Sequence, residues 1–222
     1  RKEDEDMGVH LLLLSLISLT LAAASVASPL QDFCVANLNS TERLNGFPCK
    51  DMEMVEAGDF LYSGLDKRGD TSNYAGSKVT LVDVSQLAGL NTLGISMARV
   101  DYDGYGLNPP HTHPRATELF TVVEGTLLVG FVTSNPENRL ISKVVQKGDV
   151  FVFPMGLVHF QYNLGSTSAL AISALSSQRP SLTTVSHATF GTDPAYSIDV
   201  LAKSFQMHEK LVMELQRKPF EF

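Results

Sequence analysis

Three histidines and a glutamate in the second half of the chain have the types and spacing of a metal site. The first segment reads His111-Thr112-His113, then four residues, then Glu118; His159 follows Pro154-Met155-Gly156 after two more residues. On a strand, residues two apart point to the same face, so His111 and His113 can reach one interior point while Thr112 faces away. Pro114 fixes its own torsion and lacks an amide donor, which helps the chain bend so that Glu118 returns to that point with a hard, anionic oxygen. Pro154 and Gly156 favour a tight turn before a strand, from which His159 can complete the set. Three imidazoles and one carboxylate leave two positions open on a six-coordinate ion, where water, an oxygen species or a small substrate can bind. The donor types alone do not select the metal, because copper and zinc outcompete manganese at most nitrogen sites. His10, His187 and His208 match no ligand pattern and are read as surface or packing residues.

The elements that must position these ligands are short strands. Strand-like runs recur at Val79–Val84, Leu93–Tyr102, Glu118–Glu124, Thr126–Thr133, Arg139–Val145, Asp149–Phe153, Val158–Asn163 and Ala169–Ser173, with glycine turns such as Glu124-Gly125 and Lys147-Gly148 between them. That spacing indicates an antiparallel all-β sandwich or barrel. Gly and Asp punctuation from Gly58 to Gly76 predicts a loop-rich stretch with little helix. It contains Arg68-Gly69-Asp70, read as a solvent loop in preference to an adhesion tripeptide. After Asp193-Pro194 the pattern changes. Ile198, Leu201, Ala202, Phe205, Val212 and Leu215 recur at mostly helical spacing, with Asp193 and Ser197 available as caps, which predicts one or two terminal α-helices over about 194–217.

The chain has 222 residues and a net charge of −7, enough for one domain with a real core and too acidic for an ordinary nucleic-acid partner. No Lys, Arg, Asp or Glu occurs from Met7 to Leu30, and the apolar stretch from Leu11 ends in Ser25-Val26-Ala27, small at both positions a signal peptidase reads. Residues 1–27 are therefore read as a leader with a secretory signal peptide, with Met7 as the natural start and no membrane attachment after cleavage. The short apolar run and its small-residue end argue against a membrane anchor. In a secreted chain Cys34 and Cys49 form a disulfide, which stabilises by about 3 kcal/mol on the loop-entropy model. Residues 28–55 are taken as a disulfide-bonded segment, and 56–222 as the main domain with its helices. Asn39-Ser40-Thr41, inside the disulfide loop, is the one N-glycosylation sequon.

Asn108-Pro109-Pro110-His111-Thr112-His113-Pro114-Arg115-Ala116-Thr117-Glu118 and Gly148-Asp149-Val150-Phe151-Val152-Phe153-Pro154 through His159 resemble the two motif boxes of the cupin superfamily, in their germin-like form. Gln31–Ala36, Asn91–Gly94 and Leu175–Gln178 are similar as well, so the resemblance spans about Leu30 to Gln216. It implies a cupin jelly-roll β-barrel with C-terminal α-helices, a homohexamer built as a trimer of dimers, and manganese on His111, His113, Glu118 and His159. It also implies the apoplast and cell wall as location. Two chemistries follow from it. Superoxide dismutation cycles Mn(III) and Mn(II) and yields hydrogen peroxide; oxalate oxidation needs polar groups to orient a dianion. The family's oxalate oxidases carry an asparagine ten residues before the one that precedes Pro-Pro-His. This chain keeps the latter as Asn108, a candidate donor beside the metal, and has Ala98 at the former. Losing a hydrogen bond to a charged group costs on the order of 1.5–3 kcal/mol, which ranks oxalate below superoxide. A non-catalytic cell-wall, storage or ligand-binding role is the alternative of a different class. Tyr105 stands where the family's first box opens with glycine, either altering the loop at the site or accommodated at its rim.

Overall fold

Alternating burial along the strands is what closes this chain into two facing sheets. In the computed structural model, which describes residues 31–42 and 45–219, ten strands form one sheet in the order β1-β2-β9-β4-β7 and a second in the order β10-β3-β8-β5-β6. The strands are β1 (Ser77–Val82), β2 (Ser96–Tyr102), β3 (Leu107–Thr112), β4 (Glu118–Glu124), β5 (Thr126–Val132), β6 (Leu140–Gln146), β7 (Val150–Phe153), β8 (His159–Asn163), β9 (Ala169–Leu175) and β10 (Thr183–Thr184). Every pairing is antiparallel. Inward residues of both sheets, among them Val100, Tyr102, Phe120, Leu127, Val129 and Phe153, make one core. At about 25 cal/mol per Å² of apolar surface removed from water, this interior is the main term holding the sheets together. The leader reading falls on residues 1–27, outside those described.

Two strands lie outside the eight strand-like runs, although the spacing of His111 and His113 reads as extended. Asn108-Pro109-Pro110 contains two residues that cannot donate to a ladder, yet β3 runs through them because the β3–β8 register shifts between Asn108 and His111. The two-residue β10 has no apolar period of its own and exists because Thr184 pairs with His111. β9 also extends to Leu175, two residues past its expected end.

Three helices close the chain: α1 (Val185–Phe190), α2 (Ile198–Phe205) and α3 (Glu209–Gln216). α2 begins after Ser197, as expected, although the Ser197 side chain makes no capping bond. The His208 side chain caps α3 by accepting from the Lys210 amide. Leu201 and Val212 are buried, while Val200, Phe205 and Leu211 remain exposed. α1 lies upstream of the predicted helical span. Among the described residues no helix is long and apolar enough to cross a membrane.

The amino-terminal part of the described chain is stitched rather than layered. Cys34 and Cys49 are disulfide-bonded, and the two segments they join exchange Asn37 N–H to Pro48 C=O at 2.8 Å and Lys50 N–H to Val35 C=O at 2.7 Å. Buried Asn91 donates to the Phe47 carbonyl at 2.8 Å. The Arg68-Gly69-Asp70 tripeptide is occupied internally. Gly69 N–H donates to Asp101 Oδ2 at 2.9 Å, Arg68 reaches Asp103 Oδ1 at 3.4 Å, and Asp70 accepts from the Ser72 amide at 3.0 Å.

Candidate metal centre

His111 and His159 are direct cross-strand partners on β3 and β8. His113 follows one residue after β3 ends, and Glu118 opens β4 in the opposite sheet. The four side chains thus converge from both sheets, and one ligand atom of each lies within 4.8 Å of all the others. A single ion with bonds of about 2.0–2.2 Å spans ligand atoms up to roughly 4.4 Å apart, so little closure is needed. The turn before β8 is the one its residues demand: Leu157 N–H reaches Pro154 C=O at 3.3 Å, and Gly156 adopts φ 78°, a value that costs glycine nothing.

The imidazoles are held in one tautomer. Nδ1 of His111 contacts the Pro109 carbonyl at 2.8 Å, Nδ1 of His159 the Leu157 carbonyl at 2.8 Å, and Nδ1 of His113 the Ser181 carbonyl at 2.6 Å. A carbonyl only accepts, so each Nδ1 carries the proton and each Nε2 faces the cluster. Glu118 divides its oxygens. Oε2 lies 3.1 Å from His113 Nε2 and 3.2 Å from His159 Nε2, while Oε1 accepts from Ser173 Oγ at 2.6 Å. The donor set therefore fits an ion, which would take the place of protons on Nε2.

Charge in this pocket is set by burial against pairing. His111 is pushed down from 6.5 to about 3, first by burial and then by neighbouring His159. For His113 burial acts downward, but the hydrogen bond and charge of Glu118 outweigh it and raise the imidazole above its ordinary value. Burial alone would raise Glu118; its bonds to His113 and His159 overcome that and hold the carboxylate well below its usual range.

A second layer surrounds the cluster. Asn108 Nδ2 donates to Gln161 Oε1 at 2.8 Å, and the buried Tyr102 hydroxyl lies 3.5 Å from the same oxygen. Burial, then the charges of Glu118 and Asp101, push the Tyr102 phenol well above 10. Gln161 is fully buried and its Nε2 has no partner. Ala98 sits cross-strand from Ser173. Ser173, Gln161 and Ser181 were missed from sequence. His187 and His208 lie outside the cluster, and His10 lies outside the described residues. Tyr105, at the far end of β3 from the histidines, is exposed with φ 60° and donates its amide to Gly165 C=O at 2.9 Å, so it does not line the site.

Two facing antiparallel sheets with a three-histidine, one-carboxylate cluster drawn from both define the cupin class, and residues 63–213 match the family model described as Cupin. Germin-like protein 8-2 of Oryza sativa subsp. japonica is 61% identical over 197 residues, covering 88% of this chain and 89% of that protein. Germin-like protein 12-2 of the same organism is 58% identical over 218 residues, 95% of each chain. The structure of a recombinant oxalate oxidase in complex with glycolate superimposes with a TM-score of 0.83 at 44% identity, covering 86% of this chain and 96% of the other. The chain belongs to the germin-like proteins of the cupin family.

Proposed function

We propose that this chain is a secreted, manganese-binding superoxide dismutase that produces hydrogen peroxide in the apoplast. The observation that carries the reading is the shared tautomer of His111, His113 and His159, each presenting Nε2 beside Glu118. Bound manganese would supply reversible one-electron transfer, by which one superoxide loses an electron to become dioxygen and a second gains one, with two protons, to become hydrogen peroxide. The backbone bonds to Nδ1 keep the three rings aimed, and the Glu118 carboxylate offsets the charge of the cation. Lys78 and Arg179 line the approach and favour an incoming anion. Asn108 spends one N–H on Gln161 and has a second to offer a bound oxygen species.

Oxalate oxidation, in which oxalate, dioxygen and two protons give two carbon dioxide and hydrogen peroxide, is the second reading. The similarity to the glycolate-bound oxalate oxidase favours it. Ala98, buried on the inner face, gives a dianion no donor. Secretion with cleavage near Ala27, a glycan on exposed Asn39, and a homohexamer belong to the same proposal. Met97, Ala174, Leu119 and Val152 are successive partners across β2, β9, β4 and β7, an exposed row with three large apolar side chains that suits a subunit contact. The test is to express the chain from Ser28 in a secretory host, quantify bound metal, and assay superoxide and oxalate beside His111→Ala. Manganese-loaded protein no more active on superoxide than the variant overturns the reading, and oxalate turnover despite Ala98 reverses the order of the two.

A further inference from the structure

Two stretches that carry the germin-like resemblance outside the motif boxes, Asn91–Gly94 and Leu175–Gln178, meet in the fold at the side chain of Gln178. Its Nε2 donates to Asn91 Oδ1 at 3.1 Å, and its Oε1 accepts from the Thr92 amide. Asn91 is fully buried, so its Oδ1 depends on Gln178 for a donor. From Gln178 the chain runs as a strap to β10, and different parts of the protein take its carbonyls. Val84 N–H donates to Gln178 C=O at 3.0 Å, Arg115 Nε to Arg179 C=O at 3.1 Å, and His113 Nδ1 to Ser181 C=O at 2.6 Å. The last contact differs in kind from those of the other two imidazoles. His111 and His159 donate to carbonyls two residues away, Pro109 and Leu157, whereas Ser181 lies 68 residues from His113.

On the metal-site reading above, the geometry points to Gln178 as a positioning residue for the ligand His113, acting through the strap and the Ser181 carbonyl. His111 and His159 take their aim from backbone next to them, so a loosened strap misdirects His113 alone. Backbone strain sits at both ends of the connection. Thr92 adopts φ 67° and Ser181 φ 62°, a left-handed region that non-glycine residues enter rarely and a β-branched residue enters at a cost. Such conformations persist where the surroundings over-determine them. Here the Thr92 turn aims an amide at Gln178, and the Ser181 turn aims a carbonyl at His113. Gln178 does not line the cavity, so its effect on the ion has to pass through its neighbours.

The experiment uses the full secreted chain with two readouts: manganese(II) affinity by chelator competition and, on metal-free protein, hydrogen exchange of the three Nδ1 protons by NMR of 15N-labelled histidine. Gln178→Ala is expected to bind manganese(II) about tenfold more weakly, the lower end of what losing a partner behind a ligand costs. In the metal-free form its His113 Nδ1 proton should lose protection while those of His111 and His159 keep theirs. Gln178→Glu retains the acceptor for Thr92 and loses the donor to Asn91, and should fall between wild type and Gln178→Ala in both readouts. Ser181→Gly and Ser181→Val both remove the hydroxyl and keep the carbonyl; they differ in how they tolerate φ 62°, so the glycine variant is expected to bind manganese(II) about tenfold more tightly than the valine variant. Unchanged exchange at His113 in the Gln178 variants overturns the inference, and so does faster exchange of all three protons, which would mark a general loosening. Equal affinities of the two Ser181 variants overturn the part played by the carbonyl. A wild-type chain that takes up no manganese(II) would sink the metal-site reading, and proton exchange would still decide whether Gln178 aims His113.

Discussion

Ser173 Oγ lies 2.6 Å from Glu118 Oε1 and fixes which carboxylate oxygen the histidines see. Both residues are buried, and Oε2 is the oxygen shared by His113 and His159. Removing the hydroxyl leaves Oε1 buried without a donor and frees the carboxylate to rotate. Ser173→Ala is therefore expected to weaken metal binding about 10–100-fold, the usual cost of losing a partner behind a ligand. Ser173→Thr keeps the hydroxyl and should recover most of it. Chelator competition on the folded protein reads both; equal affinity in Ala and wild type would dismiss the role.

The metal-free protein should lose stability in mild acid, and His111 should be the cause. Its folded value of about 3 stands against 6.5 in an unfolded chain. The unfolded chain takes up the extra proton between those values, so stability falls as pH drops through them, at up to about 1.4 kcal/mol per pH unit. Glu118, held below its ordinary 4.5, adds a fall of the same sign only under that value. His113 is raised, so its contribution is complete below 6.5 and is lost only as pH climbs through the higher folded value. Between 6.5 and 4.5 the fall due to His111 is therefore separate from the contributions of Glu118 and His113. Urea unfolding of stripped protein across that range should show the slope in wild type and lose it in His111→Gln.

The four ligands were legible because three of the chain's six histidines fall with one glutamate in two short segments, His111 and His113 at the two-residue spacing of extended backbone and Glu118 and His159 after a proline bend and a Pro-Gly turn. The strands were legible as short β-branched and apolar runs set off by glycine turns, as β4 and β5 are on either side of Gly125. What escaped depends on pairing that no local pattern reports. Ser173 reads as a polar interruption of an apolar strand until register sets it beside Phe120 and Ala98, facing Glu118. Ser181 acts through its carbonyl, which every residue has. Pro109 and Pro110 argue against a strand locally, and β3 forms because a register shift spares their missing amides.

Breaking the Cys34–Cys49 disulfide should cost stability without emptying the metal centre. The bond spans a sequence separation of 15, for which loop entropy gives about 3 kcal/mol. Its neighbours are backbone bonds of the amino-terminal segment and the Asn91 side chain, whose Nδ2 lies 3.3 Å from Cys34 Sγ, and none of the four ligands is among them. Cys34→Ser with Cys49→Ser is expected to lower the urea midpoint while metal content per chain stays at the wild-type level. Loss of metal in the folded variant would mean that this segment supports the site.

Arg99 and Asp101 form the structure's most enclosed Arg–Asp pair among the described residues, and the pair fastens the segment that carries Arg68-Gly69-Asp70. Arg99 Nη2 meets Asp101 Oδ1 at 2.7 Å and Nε meets Oδ2 at 2.9 Å, with side chains 11% and 3% exposed. Arg99 also donates to Leu65 C=O at 2.8 Å, and Asp101 accepts from Gly69. Asp101→Ala leaves a guanidinium enclosed without its counter-charge and the Gly69 amide without its acceptor, a change expected to cost about 3–5 kcal/mol. Replacing both partners by apolar residues, Arg99→Met with Asp101→Leu, removes the stranded charge and should recover a large part of that loss. The segment gives a second readout, because Lys67 and Arg68 are tryptic sites. Both the single and the double variant lose the Gly69 acceptor, so both should be cleaved there faster than wild type even where the double variant has regained global stability. Wild-type cleavage rates in the double variant would show that the segment is held by packing and that the ion pair serves only itself.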